Sequence, residues 1–230
     1  MSDKSLEYMK NSNTAVKFSP LGTFAVGGLH VYVKEPVPEQ IDIEYCFSYI
    51  LEKMPKIFFR NIAKVFVGQF PFLKNREVDA IYKDGTIYIT NNQETNESMI
   101  ADIIHELAHA FEEEHKDGLY GDLSIENEFL SKRKALLNIL KSNNLLPNNI
   151  EEKHFSQLEY NQDFDLFLYK TVGYQRLSNL TNNIFISPYA ATCLREYFAS
   201  AFEIFFTKDL FIVKKQAPSV YKKLINYLEI

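Results

Sequence analysis

A pair of histidines with a glutamate between them is the first feature of the sequence that could carry chemistry. His105, Glu106 and His109 form the pattern HExxH. The surrounding segment, from residue 97 to about residue 115, has apolar residues at helical spacing. On a helix, positions four apart lie on one face, so both imidazoles can bind the same Zn²⁺. Glu106 flanks them and can act as general base on a water that zinc activates.

Zinc needs a third protein ligand, and the sequence offers three candidates. His115 stands where the pattern HExxHxxGxxH has its third histidine, but Glu112 replaces the glycine that ends the helix in that pattern. If the helix continues, His115 is rotated by about 120° from His109 and cannot reach the same ion. The second candidate is Glu126 or Glu128 on the next predicted helix, although acids at a helix start also interact favourably with the helix dipole.

The third candidate, which the sequence favours, is Glu196. It opens the segment EYFASAF, in which all the remaining residues are apolar or small. Burying a carboxylate is unfavourable unless a cation or hydrogen-bond donors meet it. Arg195 is adjacent in sequence, but neighbouring residues on a helix do not face each other. A bound Zn²⁺ explains the charge better.

These segments carry a resemblance to a known family. HELAH followed later by EYFASAF, with Tyr189 seven residues before Glu196, resembles the zincin family that contains the anthrax lethal factor catalytic domain and the Pro-Pro endopeptidases. Residues 215–221, KQAPSVY, resemble the end of the lethal factor chain. The likeness covers residues 29–143 loosely and residues 187–230 closely.

The resemblance implies roles for five residues. His105, His109 and Glu196 would bind Zn²⁺, Glu106 would be the general base, and Tyr189 would donate a hydrogen bond to the oxyanion. If Tyr189 is helical, a spacing of seven residues places it on the face of Glu196. If the helix starts at Thr192, Tyr189 lies in the loop just ahead of it and can still reach the site. The implied protein is a zinc metalloendopeptidase with a zincin-like fold that acts on a peptide or protein substrate. The alternative is a zincin-fold binding or structural protein in which the metal only stabilises the fold.

Two features depart from the family pattern, and three nearby residues need separate interpretation. Ser200 stands where the family often has a second acid, and the surplus residues 144–186 predict a helical insertion. Asp102, three residues before His105, is either an acid that orients this imidazole or a surface acid. We interpret Glu203 as a solvated acid or as an acid that contacts a metal ligand without binding the metal. We interpret Cys193 as a small core residue.

The remaining sequence predicts an α+β domain. The pattern predicts strands over residues 29–33 and 62–67 and a hairpin whose strands, 78–82 and 86–90, meet at Asp84-Gly85. The resemblance to zincins implies that residues 86–90 are an edge strand on which a substrate could pair. Helices are predicted over residues 41–54, 97–115, 124–143, 149–160, 163–177, 192–206 and 217–228. Residues 1–20 are interpreted as a loosely held arm and residues 21–230 as one catalytic domain.

Composition excludes several other classes of protein. The chain has 230 residues, 46% of them hydrophobic, and a formal net charge of −5, which argues against nucleic acid as a partner. Its two cysteines do not form a disulfide framework. No apolar run approaches the length of a membrane span, and the start has no apolar signal segment. As written, the sequence predicts a cytoplasmic protein without a membrane partner. The alternative is secretion or delivery by a partner.

Overall fold

The structure, a computed structural model, describes residues 22–181 and 184–229. The predicted arm, residues 1–20, therefore lies outside the described residues. The α+β class is confirmed by a five-stranded mixed sheet that packs against helices. The strands are β1 (Gly22–Val26), β2 (Leu29–Val33), β3 (Lys64–Gly68), β4 (Ala80–Lys83) and β5 (Thr86–Thr90). The α-helices are α1 (Ile43–Lys53), α2 (Pro71–Arg76), α3 (Asn96–Tyr120), α4 (Ser124–Ser142), α5 (Gln162–Leu166), α6 (Tyr174–Leu180), α7 (Leu194–Thr207), α8 (Leu210–Gln216) and α9 (Pro218–Leu228).

The order of strands in the sheet is β1-β2-β3-β5-β4. Strands β2, β3 and β5 run parallel, whereas β1 and β4 pair antiparallel at the two edges. The prediction that residues 86–90 form the edge strand is therefore wrong, because β5 lies between β3 and β4. The physical reason is burial of apolar side chains. Ile87 and Ile89 of β5 are fully buried in the core, whereas every residue of β4 is only partly buried, as suits an edge.

The hairpin between β4 and β5 has the predicted turn. Asp84 and Gly85 both have positive φ, 49° and 73°. A two-residue turn with positive φ at both positions matches the twist of the flanking strands, and Asp-Gly adopts it at low cost. This turn fixes the register in which Lys83 faces Thr86.

A single hydrophobic core joins the sheet to the helices. One face of the sheet contributes Val31, Val65, Val67, Ile87 and Ile89, all fully buried. Helix α3 packs against this side of the molecule with its apolar stripe, and α7 packs along α3. Aromatic rings lock these two helices together: the ring centroids of Phe58 lie 4.7 Å from Phe111 and 5.2 Å from Phe202.

The predicted insertion, residues 144–186, is less helical than its sequence suggests. The helix predicted over residues 149–160 is reduced to a short 3₁₀ turn, Glu152–Ser156. The predicted helix over residues 163–177 is divided into α5, a π-helical turn over Phe167–Gly173, and α6. Gly173 has a φ of 82°, which a continuous α-helix cannot accommodate. Among the described residues, none of the helices has both the length and the apolar character needed to cross a membrane.

Candidate metal centre

Helix α3 carries the HExxH pattern and begins with a strong cap. Thr95 accepts a hydrogen bond from the backbone N–H of Ser98, and the Ser98 hydroxyl accepts one from the N–H of Thr95. This reciprocal capping box fixes the start of the helix and so the direction of its histidines. The helix extends five residues beyond the predicted end, with non-helical dihedral angles at His115 (φ −111°, ψ 20°).

The structure brings together the three predicted metal ligands from two helices. His105 and His109 lie one turn apart on α3, and Glu196 lies in the first turn of α7. Oε2 of Glu196 is 3.0 Å from Nε2 of His105 and 3.6 Å from Nε2 of His109. Within the described residues, this is the only set of three or more His, Cys, Asp or Glu donors close enough to share an ion, with all ligand atoms within 4.8 Å of one another.

The charges of these three residues are strongly coupled. Burial would lower the pKa of His105, but its hydrogen bonds to Glu196 and Glu203 outweigh that effect and raise the pKa to about 10. The pKa of His109 is also raised, against the effect of burial, by Glu112 and Glu196. Burial acts to raise the pKa of Glu196, but the two imidazoles hold it well below its ordinary value. The two imidazoles thus hold Glu196 in its charged form.

Glu106 lies between the histidines and the sheet. Its side chain is buried, and Oε2 accepts a hydrogen bond from the backbone N–H of Tyr82 in β4. This bond holds the carboxylate at the wall formed by the edge strand. The predicted general base is therefore next to the ligands, at the end of the site where an extended peptide could lie along β4.

Tyr189 reaches the site from a 3₁₀ turn, Tyr189–Ala191, and not from the helix. Its ring centroid is 6.3 Å from that of His105. Burial raises the pKa of its phenol above the ordinary value, and the charge of Glu196 adds to this effect. A phenol in this setting stays protonated and can serve as a hydrogen-bond donor.

A buried arginine holds the turn that carries Tyr189. Arg133 of α4 donates to the carbonyl oxygens of Ala191 and Thr192, and also to that of His154 in the insertion. Its guanidinium lies 4.0 Å from the ring centroid of Phe164. The side chain thus ties the segment before α7 to both α4 and the insertion.

Of the two acids that the sequence offers as support for a ligand, Glu203 and not Asp102 lies at the outer nitrogen of His105. Nδ1 of His105 lies 3.2 Å from Oε2 of Glu203, seven residues after Glu196 on α7. Asp102 instead accepts a hydrogen bond of 2.9 Å from the side-chain amide of Gln93. Burial raises the pKa of Asp102 to about 6. Glu203 is therefore the residue that orients His105 from behind, and Asp102 is not.

The other candidate ligands are engaged elsewhere. The ring of His115 stacks on Phe111 with centroids 4.2 Å apart, and its Nδ1 lies 3.1 Å from the Phe111 carbonyl. Glu128 accepts from the Tyr197 hydroxyl at 2.5 Å and from the Ser219 N–H at 2.8 Å, which ties α4 to α7 and α9. Neither residue joins the set of metal donors.

Two further candidates also lie outside that set. Glu126 does not join it. Cys193 is buried at the start of α7, and burial raises the pKa of its thiol to about 12. A thiol that holds its proton this tightly suits the predicted core role better than metal binding.

A second group of polar residues, next to His109, has no counterpart among the predicted site residues. Nδ1 of His109 accepts a hydrogen bond of 3.0 Å from Nε of Arg195, and Oε2 of Glu112 lies 3.9 Å from the same nitrogen. Tyr120 donates its hydroxyl to the other oxygen of Glu112. The spacing of three residues between His109 and Glu112 on one helix could have revealed this contact.

In three comparisons, no family model, no curated protein and no solved structure matches the chain. What supports a function is therefore the arrangement of the chain's own residues.

Proposed function

We propose that this protein is a zinc metalloendopeptidase with a zincin-like fold, similar to the lethal factor and Pro-Pro endopeptidase family. One observation carries the proposal: two imidazoles from α3 and one carboxylate from α7 converge in a single buried site. Two histidines and a glutamate are a donor set of catalytic zinc sites, which keep a fourth position for water or substrate. The donors therefore fit Zn²⁺.

Zinc bound there would supply two effects, polarising the scissile carbonyl and lowering the pKa of a water toward ~7. The residues of the chain supply the remaining steps. Glu106 accepts a proton from the attacking water and passes it to the leaving amine. The backbone N–H of Tyr82 holds this carboxylate in place. Tyr189, kept protonated by burial, donates to the oxyanion that develops as the carbonyl is attacked.

Strand β4 offers the place where a peptide would lie. It is the edge of the sheet, and the Tyr82 N–H points away from β5 toward Glu106. The outward-facing backbone groups of β4 that Glu106 does not engage can pair with an extended peptide, which would place the scissile bond beside the general base. Pairing of this kind needs no free chain terminus, and for this reason we propose endopeptidase activity.

The deciding experiment is to load the protein with zinc, incubate it with a mixed peptide library, and read cleavage sites by mass spectrometry. The variant Glu106→Gln removes the base but keeps the size of the side chain, so it should bind zinc as tightly as the wild type and cleave nothing. Glu114→Gln removes one exposed charge from the same helix and is the matched control, which should cleave normally.

The outcomes separate the proposal from its alternative. About one zinc per chain with cleavage that requires Glu106 supports the peptidase. Zinc binding without cleavage of any peptide would favour the structural or binding role. Undiminished zinc affinity in Glu196→Ala would exclude Glu196 as a ligand and overturn the proposed site.

A further inference from the structure

The two histidines of the site differ in the surroundings of their outer nitrogens. Nδ1 of His105 faces only a carboxylate, that of Glu203. Nδ1 of His109 instead accepts from the guanidinium of Arg195 at 3.0 Å, with the carboxylate of Glu112 at 3.9 Å. Arg195 and Glu112 also face each other, with 3.8 Å between Nε and Oε2. The outer side of His109 therefore has a donor at hydrogen-bond distance and a carboxylate acceptor just beyond that distance.

Metal binding decides which of the two partners His109 can use. A neutral imidazole has one N–H and one lone pair, and a metal on Nε2 takes the lone pair of that nitrogen. The proton then resides on Nδ1, which becomes a donor and needs an acceptor. Arginine only donates hydrogen bonds, so it cannot remain bonded to Nδ1 in this state.

We propose that Glu112 is the positioning residue for His109, accepting its Nδ1 proton in the zinc-bound state, and that Arg195 competes with zinc for this histidine. The inference rests on the proposed zinc site. Arg195 is free to move because half of its side chain is exposed, 51%, whereas Glu112 is only 13% exposed. When Arg195 releases Nδ1, Glu112 is the carboxylate that remains beside it.

Tyr120 gives Glu112 its fixed position. This buried tyrosine lies eight residues after Glu112, beyond the irregular backbone at His115, and its hydroxyl donates to Oε1. Oε2 is the oxygen that faces His109. The extension of α3 past the HExxH pattern thus supplies the group that orients the acid, as is usual where a carboxylate supports a metal-binding histidine.

The test is the zinc affinity of four variants, measured at pH 7.5 by competition with a chromophoric chelator. Glu112→Gln should weaken zinc binding by about 10- to 100-fold, the usual cost of removing such a partner. Glu114→Gln removes an exposed charge two residues after Glu112 on α3, and it should leave the affinity within twofold of the wild type. Tyr120→Phe should weaken binding, but less than Glu112→Gln, because the carboxylate remains.

Arg195→Met tests the competitor separately. Removing its charge and its hydrogen bond to Nδ1 should tighten zinc binding by about threefold to tenfold, the size of one side-chain hydrogen bond. Weaker binding in this variant would overturn the assignment of Arg195 as a competitor. Tyr120→Phe and Arg195→Met act from outside the ligand set, so they decide the question if Glu112→Gln does not fold.

Two controls distinguish positioning from a structural effect. Circular dichroism and a cooperative thermal transition of the metal-free protein should show that Glu112→Gln keeps the fold, as Glu114→Gln does. In ¹⁵N-histidine spectra of the zinc-bound protein, the Nδ1 proton of His109 should exchange with water faster in Glu112→Gln. A zinc affinity of Glu112→Gln within twofold of a zinc-binding wild type would overturn the positioning role alone. A wild type that binds no zinc would overturn the proposed function as well.

Discussion

Removing the metal should make the stability of this protein fall as the pH rises from 6.5 to 8.5. In the metal-free fold, Glu196 and Glu203 raise the pKa of His105 to about 10 against the effect of burial, compared with 6.5 for an ordinary histidine. Between these two values the folded chain holds a proton that the unfolded chain has released. The free energy of unfolding therefore decreases with pH across this window.

The magnitude follows from the shift in the pKa of His105. One proton bound only by the folded state changes the free energy of unfolding by up to ~1.4 kcal/mol per pH unit. At pH 6.5 the unfolded histidine is half protonated, so the slope there is half of this limit. Through His105 alone, the metal-free protein should lose about 2 kcal/mol from pH 6.5 to pH 8.5. With zinc on the ring, His105 takes no second proton, and this loss should disappear.

Urea denaturation at several pH values, with excess chelator or with zinc, measures the effect. The range ends at pH 8.5 because two buried thiols add to the effect at higher pH. Burial raises the pKa values of Cys46 and Cys193 to about 12. Above the ordinary thiol pKa, the unfolded chain loses these protons while the folded chain keeps them, so the free energy of unfolding again falls with pH. Glu196→Gln removes a main cause of the raised His105 pKa, so its metal-free slope should shrink. Glu114→Gln should keep the wild-type slope. A metal-free wild type whose stability is constant to within ~0.5 kcal/mol over this range would refute the reasoning.

Three other substitutions test separate parts of the site. Tyr189→Phe should lower kcat by about 10²–10³ with unchanged zinc content, because it removes a donor to the oxyanion; steady-state kinetics showing a change within twofold would exclude that role. Glu203→Gln should weaken zinc binding by about 10- to 100-fold, measured by chelator competition, because it removes the acceptor for Nδ1 of His105. Arg133→Met should lower the free energy of unfolding by about 2–4 kcal/mol in urea denaturation, because three carbonyl oxygens lose a charged donor; a loss below ~0.5 kcal/mol would show that this anchor is dispensable.

The parts of the site that lie on one helix could be predicted from the sequence. The relation of His105, Glu106 and His109 depends only on helical geometry. Glu196 could be found because a charge among apolar residues needs a partner. The supporting acids could not be assigned in the same way. The choice between Asp102 and Glu203 depends on how α7 packs on α3, which no local pattern specifies.

The fold shows the same division between local and long-range information. Strand β2 and the Asp-Gly turn match their predictions, because a short apolar run and a turn residue carry their own signals. Strand β1 was not predicted: its alternating residues are only half-buried and give a weak pattern. The position of β5 inside the sheet depends on parallel pairing with β3 across a crossover, which a hairpin signature does not reveal.

The arrangement of α7 explains how one helix can both complete the proposed metal site and support it. Glu196 and Glu203 are seven residues apart, so they lie on nearly the same face, two turns or about 10 Å from each other. The imidazole of His105 lies between them, with Nε2 at 3.0 Å from Glu196 and Nδ1 at 3.2 Å from Glu203. A single docking of α7 against α3 therefore sets both contacts. Because the aromatic contacts of Phe58 with Phe111 and Phe202 fix this docking, the core determines the geometry of the ligands and of the acid behind them.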